Sequence, residues 1–309
     1  MLTAGRRAGK QPPVAERRRL AVDGPFSLAA AAAFGFGPNT GRPYPADAVM
    51  RLAFVADDLR HQVGVLVSQE PGGDLTAEFS GAASLTMAEQ QLRRILSVDC
   101  PAGGWIEAGR RDPVLGGLQA AYPGLRPVLF HSPYEAATWA MLSQRRHRSQ
   151  ATALRRRISA QAGQQFELGG QTEHAFPVPD QLLGLTGFPG LEPQRLARLH
   201  GVARAALAGK LEPGRLAAMG TEEAMAELRA IPGLGPVYAG LVLLRSTGVT
   251  DALTLAEPRL PRYLQHYYGL PEAPDAEAVR HLAERWRPFR TWAGVLVRVA
   301  GDRDGVPWQ

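Results

Sequence analysis

"AMAELRAIPGLGPVYAGLVLL", running from Ala224 to Leu244, reads as two helices joined by a tight turn. The first helix ends near Ala230, the turn carries Gly233 and Gly235, and Pro236 opens the second helix, where a missing N–H is tolerated. Glycine at two alternating positions lets the backbone approach a ligand with no Cβ in the way. Amides at the start of the second helix then point outward as anion donors, aided by the helix dipole. Such a turn suits a nucleic-acid phosphate gripped without reading base sequence. An ordinary αα-turn with convenient glycines is the alternative, and the G-x-G alone does not decide between them.

The rest of the chain tilts the balance. Its 309 residues suffice for two or three domains with real cores. Apolar content of 45% and charged content of 21% are those of a globular protein, and no apolar run is long enough for a transmembrane helix. The basic start lacks an apolar core and so is no secretory signal. A single cysteine, Cys100, excludes a disulfide framework, a Cys-rich zinc site and a four-Cys iron–sulfur cluster. His131 and His147 show no metal spacing, so no metal is expected on side chains, and no cofactor is implied. The net charge of +6 suits a polyanionic partner. An arginine-rich genome would give the same excess, but "SQRRHRSQ" (143–150) and "RRR" (155–157) concentrate it on one predicted helical segment.

Along the chain, residues 1–22 read as a basic flexible tail. Residues 23–105 read as an α+β domain. "VMRLAFVA" sets Met50, Leu52 and Phe54 against Arg51 and Ala53 with a period of two, and "HQVGVLVS" and "LTAEFSG" flank the turn "EPGGD". Residues 106–309 read as a helical, two-lobed body holding the hairpin at about 221–247. In it "SPYEAATWAMLSQ" starts with Ser132 as N-cap, Pro133 in the first turn and Glu135 as the capping-box acid. Pro288 is placed at the first turn of the last helix. The fold class is therefore α+β: a small antiparallel sheet with helices, then a mainly helical body.

"L-x-x-I-P-G-L-G-P-x-x-A" closely resembles the helix-hairpin-helix motif of DNA repair glycosylases, with Leu228, Ile231, Leu234 and Ala239 at its packing positions. The resemblance extends over about residues 24–300. "DPVLGGLQAAYPGLRPVLFHSPYEAATWAMLSQ" and "AERWRPFRTWAGVLVRVAG" look like parts of the 3-methyladenine DNA glycosylase II family, and the N-terminal sheet resembles that family's extra domain. The resemblance implies duplex DNA with a damaged base as partner, no membrane, a monomer, and a cytoplasmic location with the bacterial nucleoid. It assigns DNA contact to Ile231, Gly233, Leu234, Gly235 and Pro236, and to Gln144, Arg145, Arg146 and Arg148. Arg145, following the glutamine that ends a helix, is the wedge that fills the gap left by a flipped base; a guanidinium can stack there or pair with phosphate. It also implies a monovalent cation on the backbone carbonyls near Ile231 and Gly233.

The family's catalytic aspartate falls on Glu257 in "TLAEPRLPRYL", with Arg262 at a downstream arginine position. Excision requires a base out of the stack and an N-glycosidic bond broken through an oxocarbenium-like state, which a carboxylate stabilises while orienting water. Glu257 is one methylene longer than aspartate, and Pro258 holds it extended. Its other reading is a structural partner of Arg259, Arg262 or Arg298. Bifunctional relatives carry a Schiff-base lysine where this chain has Val237, so the expected activity is monofunctional hydrolysis. Positions matching the family's base-stacking aromatics are Val237, Leu241 and Arg298, leaving Phe34, Tyr238 and Trp292 as aromatic candidates for the base pocket. The two readings are a monofunctional glycosylase, for an alkylated or a bulkier specialised base, and a non-catalytic paralogue that recognises damaged or distorted duplex.

Overall fold

The computed structural model describes residues 15–34, 48–81 and 84–307. Residues 1–14 of the expected tail lie outside the described residues. The tail reading fails at its end, because Glu16–Leu20 form a strand, β1. After helix α1 (Leu28–Ala32) come β2 (Val49–Val55), β3 (Gln62–Gln69) and β4 (Leu75–Gly81), giving a sheet of order β1-β4-β3-β2 with every pairing antiparallel. Its arginines disguise β1: Arg17 to Arg19 lie on an edge strand, which tolerates charge, while Leu20 is fully buried and Arg19 pairs with Asp74. The β3–β4 turn at 70–74 forms as expected, closed by Glu70 N–H donating to Asp74 O at 2.8 Å, with Gly73 at φ +95°.

One face of the sheet packs Met50, Leu52 and Phe54 into the main core, as the alternation predicts. The other face is also covered. Ala53 packs with Phe166, Leu168 and Ala175, and Gly64 lies so close that a Cβ there would sit 2.6 Å from the Phe166 ring. Phe166 and Leu168 belong to a hairpin, β5 (Gln165–Leu168) and β6 (Gln171–His174), with Ala175 directly after it, inside the body expected to be mainly helical. "LGG" supplied the signal: Gly169 and Gly170 both take positive φ, as a two-residue hairpin turn requires.

Helices α2 (Leu85–Ile95), α3 (Gly103–Arg111) and α4 (Pro113–Ala121) lead from the sheet into α5 (Pro133–Ser143) and α6 (Arg148–Ala162). The expected boundary at 105/106 cuts α3. "CPAGGW" resembles a linker, but Gly104 is there because a Cβ would lie 2.7 Å from Phe289. One core cluster runs from Leu20 to Val306, so sheet and helices share a hydrophobic interior. Beyond β6 the chain forms α7 (Pro179–Leu183), α8 (Pro193–Leu207), α9 (Pro213–Ala218), α10 (Thr221–Arg229), α11 (Pro236–Ser246), α12 (Leu260–Tyr268), α13 (Ala276–Ala283), a 3₁₀ turn (Glu284–Trp286) and α14 (Arg290–Arg303). Pro288 follows a cis peptide bond, and α14 begins two residues after it. No helix among the described residues is long and apolar enough to cross a membrane.

Ser132 caps α5 as expected, accepting from Glu135 N–H at 3.2 Å, but the Glu135 carboxylate does not close a capping box. It is fully buried and reaches across to the sheet, where Oε1 accepts from Val55 N–H at 2.9 Å. His131 and Arg155 meet its Oε2 at 3.0 and 2.6 Å. Arg155 of the "RRR" run is thus an internal counter-ion, and Arg157 donates to Pro189 O and lies over the Phe188 ring.

Candidate active site

The two helices expected around Gly233 and Gly235 are α10 and α11. Ile231 and Leu234 are each only 3% exposed, so what they can offer a ligand is backbone; Leu234 N–H donates to Ile231 O at 3.0 Å across the turn. Gly233 is required by the fold itself, with φ +98° and a Cβ position 2.9 Å from Met141 Sδ. Gly235 is different. Its φ of −74° suits any residue, and a Cβ there would meet nothing within 4 Å. The fold does not require that glycine, and it lies exposed at the N-terminus of an 11-residue helix.

The turn is fastened from behind by Gln144. Its Nε2 donates to Gly233 O at 2.6 Å, and its Oε1 accepts from Arg198 at 3.2 Å. Gln144, expected to contact DNA, therefore has its amide committed to holding the hairpin. The carbonyls proposed for a cation are also engaged, Gly233 O by Gln144 and Ile231 O by Leu234 N–H. A cation would have to share these carbonyls with their present donors. Among the described residues no cluster of His, Cys, Asp or Glu could hold a metal ion.

The basic segment is not one helix. It breaks at 144–147, and Arg145, exposed, takes φ +53°, a left-handed conformation uncommon for any side chain. The basic residues on either side are drawn off. Arg146 binds Gly190 O and Glu192 at 2.9 and 2.7 Å, and Arg148 lines a cavity in place of presenting to solvent alone.

That cavity, of about 620 Å³, lies between α11, the 252–260 loop and α14, with Phe34 and Trp139 on its far walls. It gathers the expected pocket residues Phe34, Val237, Tyr238, Leu241 and Arg298 with Glu257. Trp292 is not among them. It is 3% exposed, packed against Trp105 and Phe289 with ring centroids at 5.6 and 5.0 Å, and is a core residue. Arg262 also misses the site, bonding to Gln265 outside it.

The sequence reading passed over the cavity residues Trp139, Arg245 and Asp302; it gave Arg148 to DNA and named Arg259 only as a structural partner of Glu257. Arg259 is the most consequential. Its Nε and NH2 bind the two Glu257 oxygens at 2.8 and 3.0 Å, and its NH1 reaches both Asp302 oxygens at 3.2 Å. Arg298 and Tyr263 complete the Asp302 site at 3.0 and 2.6 Å. Burial alone would raise the Glu257 carboxyl, but the Arg259 fork, the Arg298 charge and the Arg259 N–H outweigh it, so Glu257 titrates below its ordinary value and is ionised at neutral pH. Arg245 rests under Phe34, its guanidinium carbon 4.9 Å from the ring centroid, while NH2 donates to Val128 O at 2.8 Å. Burial, and then repulsion from Arg298, push Arg245 well below the usual arginine range.

No protein-family model matches the chain. It is 29% identical over 213 residues to a probable bifunctional transcriptional activator/DNA repair enzyme AlkA of Mycobacterium tuberculosis, covering 68% of this chain and 42% of that protein. It is 31% identical over 187 residues to DNA-3-methyladenine glycosylase 2 of Escherichia coli, covering 58% of this chain and 61% of the relative. The chain thus spans under half the length of the first relative and less than two thirds of the second. Among solved structures, a 3-methyladenine DNA glycosylase from Archaeoglobus fulgidus superposes with a TM-score of 0.73 at 23% identity, over 94% of this chain and 100% of that one.

Proposed function

The chain belongs to the helix-hairpin-helix DNA glycosylase superfamily, related to 3-methyladenine DNA glycosylase II, and on that footing we propose that it is a monofunctional glycosylase that hydrolyses the N-glycosidic bond of a damaged base flipped out of duplex DNA. The names of its relatives put alkylated bases first among the candidates. The observation that carries the proposal is the ionised Glu257 facing a cavity of about 620 Å³ beside the N-terminal turn of α11. The exposed Gly235 amide end of α11 grips a phosphate, and the cavity receives the base. As the C1′–N bond breaks, its electron pair leaves with the base. Glu257 faces the positive charge growing on the sugar and takes the proton of the water that bonds to C1′. Val237, 50% exposed at the mouth, has no amine for a Schiff base, so no strand cleavage by lyase action follows. Duplex DNA is the partner, the protein acts as a monomer, and its place is the cytoplasm.

One feature favours the second reading, a non-catalytic DNA-binding paralogue: both Glu257 oxygens are already held by Arg259. Incubation with methylated and otherwise damaged duplexes separates the two. Under the first reading wild type liberates base, Glu257→Gln does not, and duplex affinity is nearly the same for both. Equal binding with no release by either protein would leave the paralogue.

A further inference from the structure

We propose that the cavity selects uncharged or anionic oxo-purines, an oxidised or deaminated base, over cationic N-alkylpurines; this rests on the glycosylase reading and names its substrate class. Among the described residues six arginines line the cavity (Arg148, Arg245, Arg259, Arg290, Arg298 and Arg303) against two carboxylates, Glu257 and Asp302, an excess of four positive charges. Arg290 and Arg303 are partly committed elsewhere, to Asp251 and to the Tyr122 ring. Arg148 is exposed, and the three arginines farther in, Arg245, Arg259 and Arg298, still outnumber the two acids.

The aromatic side of the site leads to the same conclusion. A cationic base is held by the open face of a ring. Phe34, an aromatic wall of the cavity, already carries the protein's own cation, Arg245, at 4.9 Å. Trp292 lies in the core and Trp139 is only 6% exposed. Among the described residues Tyr238 remains as a stacking surface, and a neutral ring stacks on it without needing charge.

Leaving-group chemistry sharpens the preference. When the C1′–N bond breaks, the electron pair goes to the purine while the water oxygen bonds to C1′ and its proton passes through Glu257. A cationic base departs neutral, so its charge meets the arginines at the start and gains nothing from them later. A neutral purine departs as an anion until that proton reaches it, and the guanidiniums stabilise the charge that develops. Purine carbonyls also offer the acceptors that guanidiniums require. Arg298 spends one of its five N–H groups on Asp302 and faces the cavity with the others in reach.

The experiment uses the full chain and duplexes carrying hypoxanthine, 8-oxoguanine or 7-methylguanine at one position, reading both base release and affinity. Release of at least one oxo-purine should exceed that of 7-methylguanine by ~10-fold or more, with affinity ordered the same way. Arg298→Gln should move the ratio toward 7-methylguanine by about as much. Equal or faster release of 7-methylguanine, or a ratio unmoved by Arg298→Gln, overturns the inference. If no base is released, the glycosylase reading fails, and affinity alone then decides: tighter binding of an oxo-purine duplex upholds the selectivity, and equal or reversed affinity overturns it.

Discussion

Glu135→Gln tests whether sheet and helical body are locked together by a buried charge. The carboxylate is fully buried on α5 and accepts from Val55 N–H on β2, with His131 and Arg155 against its second oxygen. Burial alone would raise its pKa; His131, Arg155 and the Val55 N–H together outweigh that and hold it at about 2, against 4.5 for a free glutamate. At about 1.4 kcal/mol per pH unit between those values, the charged form contributes about 3 kcal/mol. Glutamine keeps the shape and the acceptor for Val55 but strands Arg155, whose side chain is only 11% exposed, without its counter-charge. The sign follows from a folded value below the unfolded one. The contribution is complete above the unfolded value and is lost as pH falls from 4.5 toward about 2. Urea unfolding at a series of pH values should therefore show Glu135→Gln less stable by about 3 kcal/mol near neutrality. The gap should close progressively on acidification, because wild type alone loses the interaction. A gap under about 1 kcal/mol near neutrality, the scale of an exposed pair, or one unchanged down to strong acid, would refute the reasoning. The same helix carries Trp139, one turn on, into the cavity wall, so a loosened junction should also be felt at the site.

Other expectations concern the site itself. Arg259→Met releases both Glu257 oxygens, so the Glu257 carboxyl should titrate closer to its ordinary value, seen as a shifted acid limb in the pH profile of base release; an unmoved limb would show that Arg298 alone sets it. Gly235→Val, with open space around its Cβ, should fold with wild-type stability yet weaken duplex binding by roughly 10-fold through lost backbone approach to phosphate; equal loss of stability and binding would make it a folding residue. Arg145→Gly relieves a left-handed backbone, so it should raise stability by several tenths of a kcal/mol while lowering activity on lesions more than binding to undamaged duplex; equal losses on both duplexes would reduce Arg145 to a phosphate contact.

The hairpin was legible because it is local. Gly233, Gly235, Pro236 and the flanking apolar residues lie within a dozen positions, and each has a backbone or packing reason readable in isolation. The two-period strands β2 to β4 and the cap at Ser132 were legible on the same ground. What failed depends on distant partners. The arginines of β1 look like a disordered tail until β4 is beside them. Glu135 looks like a capping-box acid until Val55 arrives from 80 residues away. Trp292, expected in the pocket, lies in the core, and Trp139 reaches the cavity wall, because only the packing of α14 on α3 and of α5 on α8 decides which ring faces where. Arg146, Arg155 and Arg157 read as a DNA-facing run, and each finds a protein carbonyl, carboxylate or ring.

The same logic links the two departures at the candidate active site. Read separately, a glutamate in place of aspartate and an arginine in place of a stacking aromatic are two defects in a glycosylase pocket. In the structure they form one unit, since Arg259 joins Glu257 to Asp302 and Arg298 joins the same Asp302. A cavity that adds guanidiniums near its carboxylate must keep that carboxylate ionised and located. A glutamate can do so, because its extra methylene lets the fork of Arg259 take both oxygens from two residues away while Pro258 restricts the backbone between them. The added positive charge then has a use only if negative charge develops on the departing base. Arginines lining the wall are an obstacle to a cationic substrate and an asset to a neutral one, and the lengthened carboxylate is the counterpart that lets the sugar's opposite charge develop beside them.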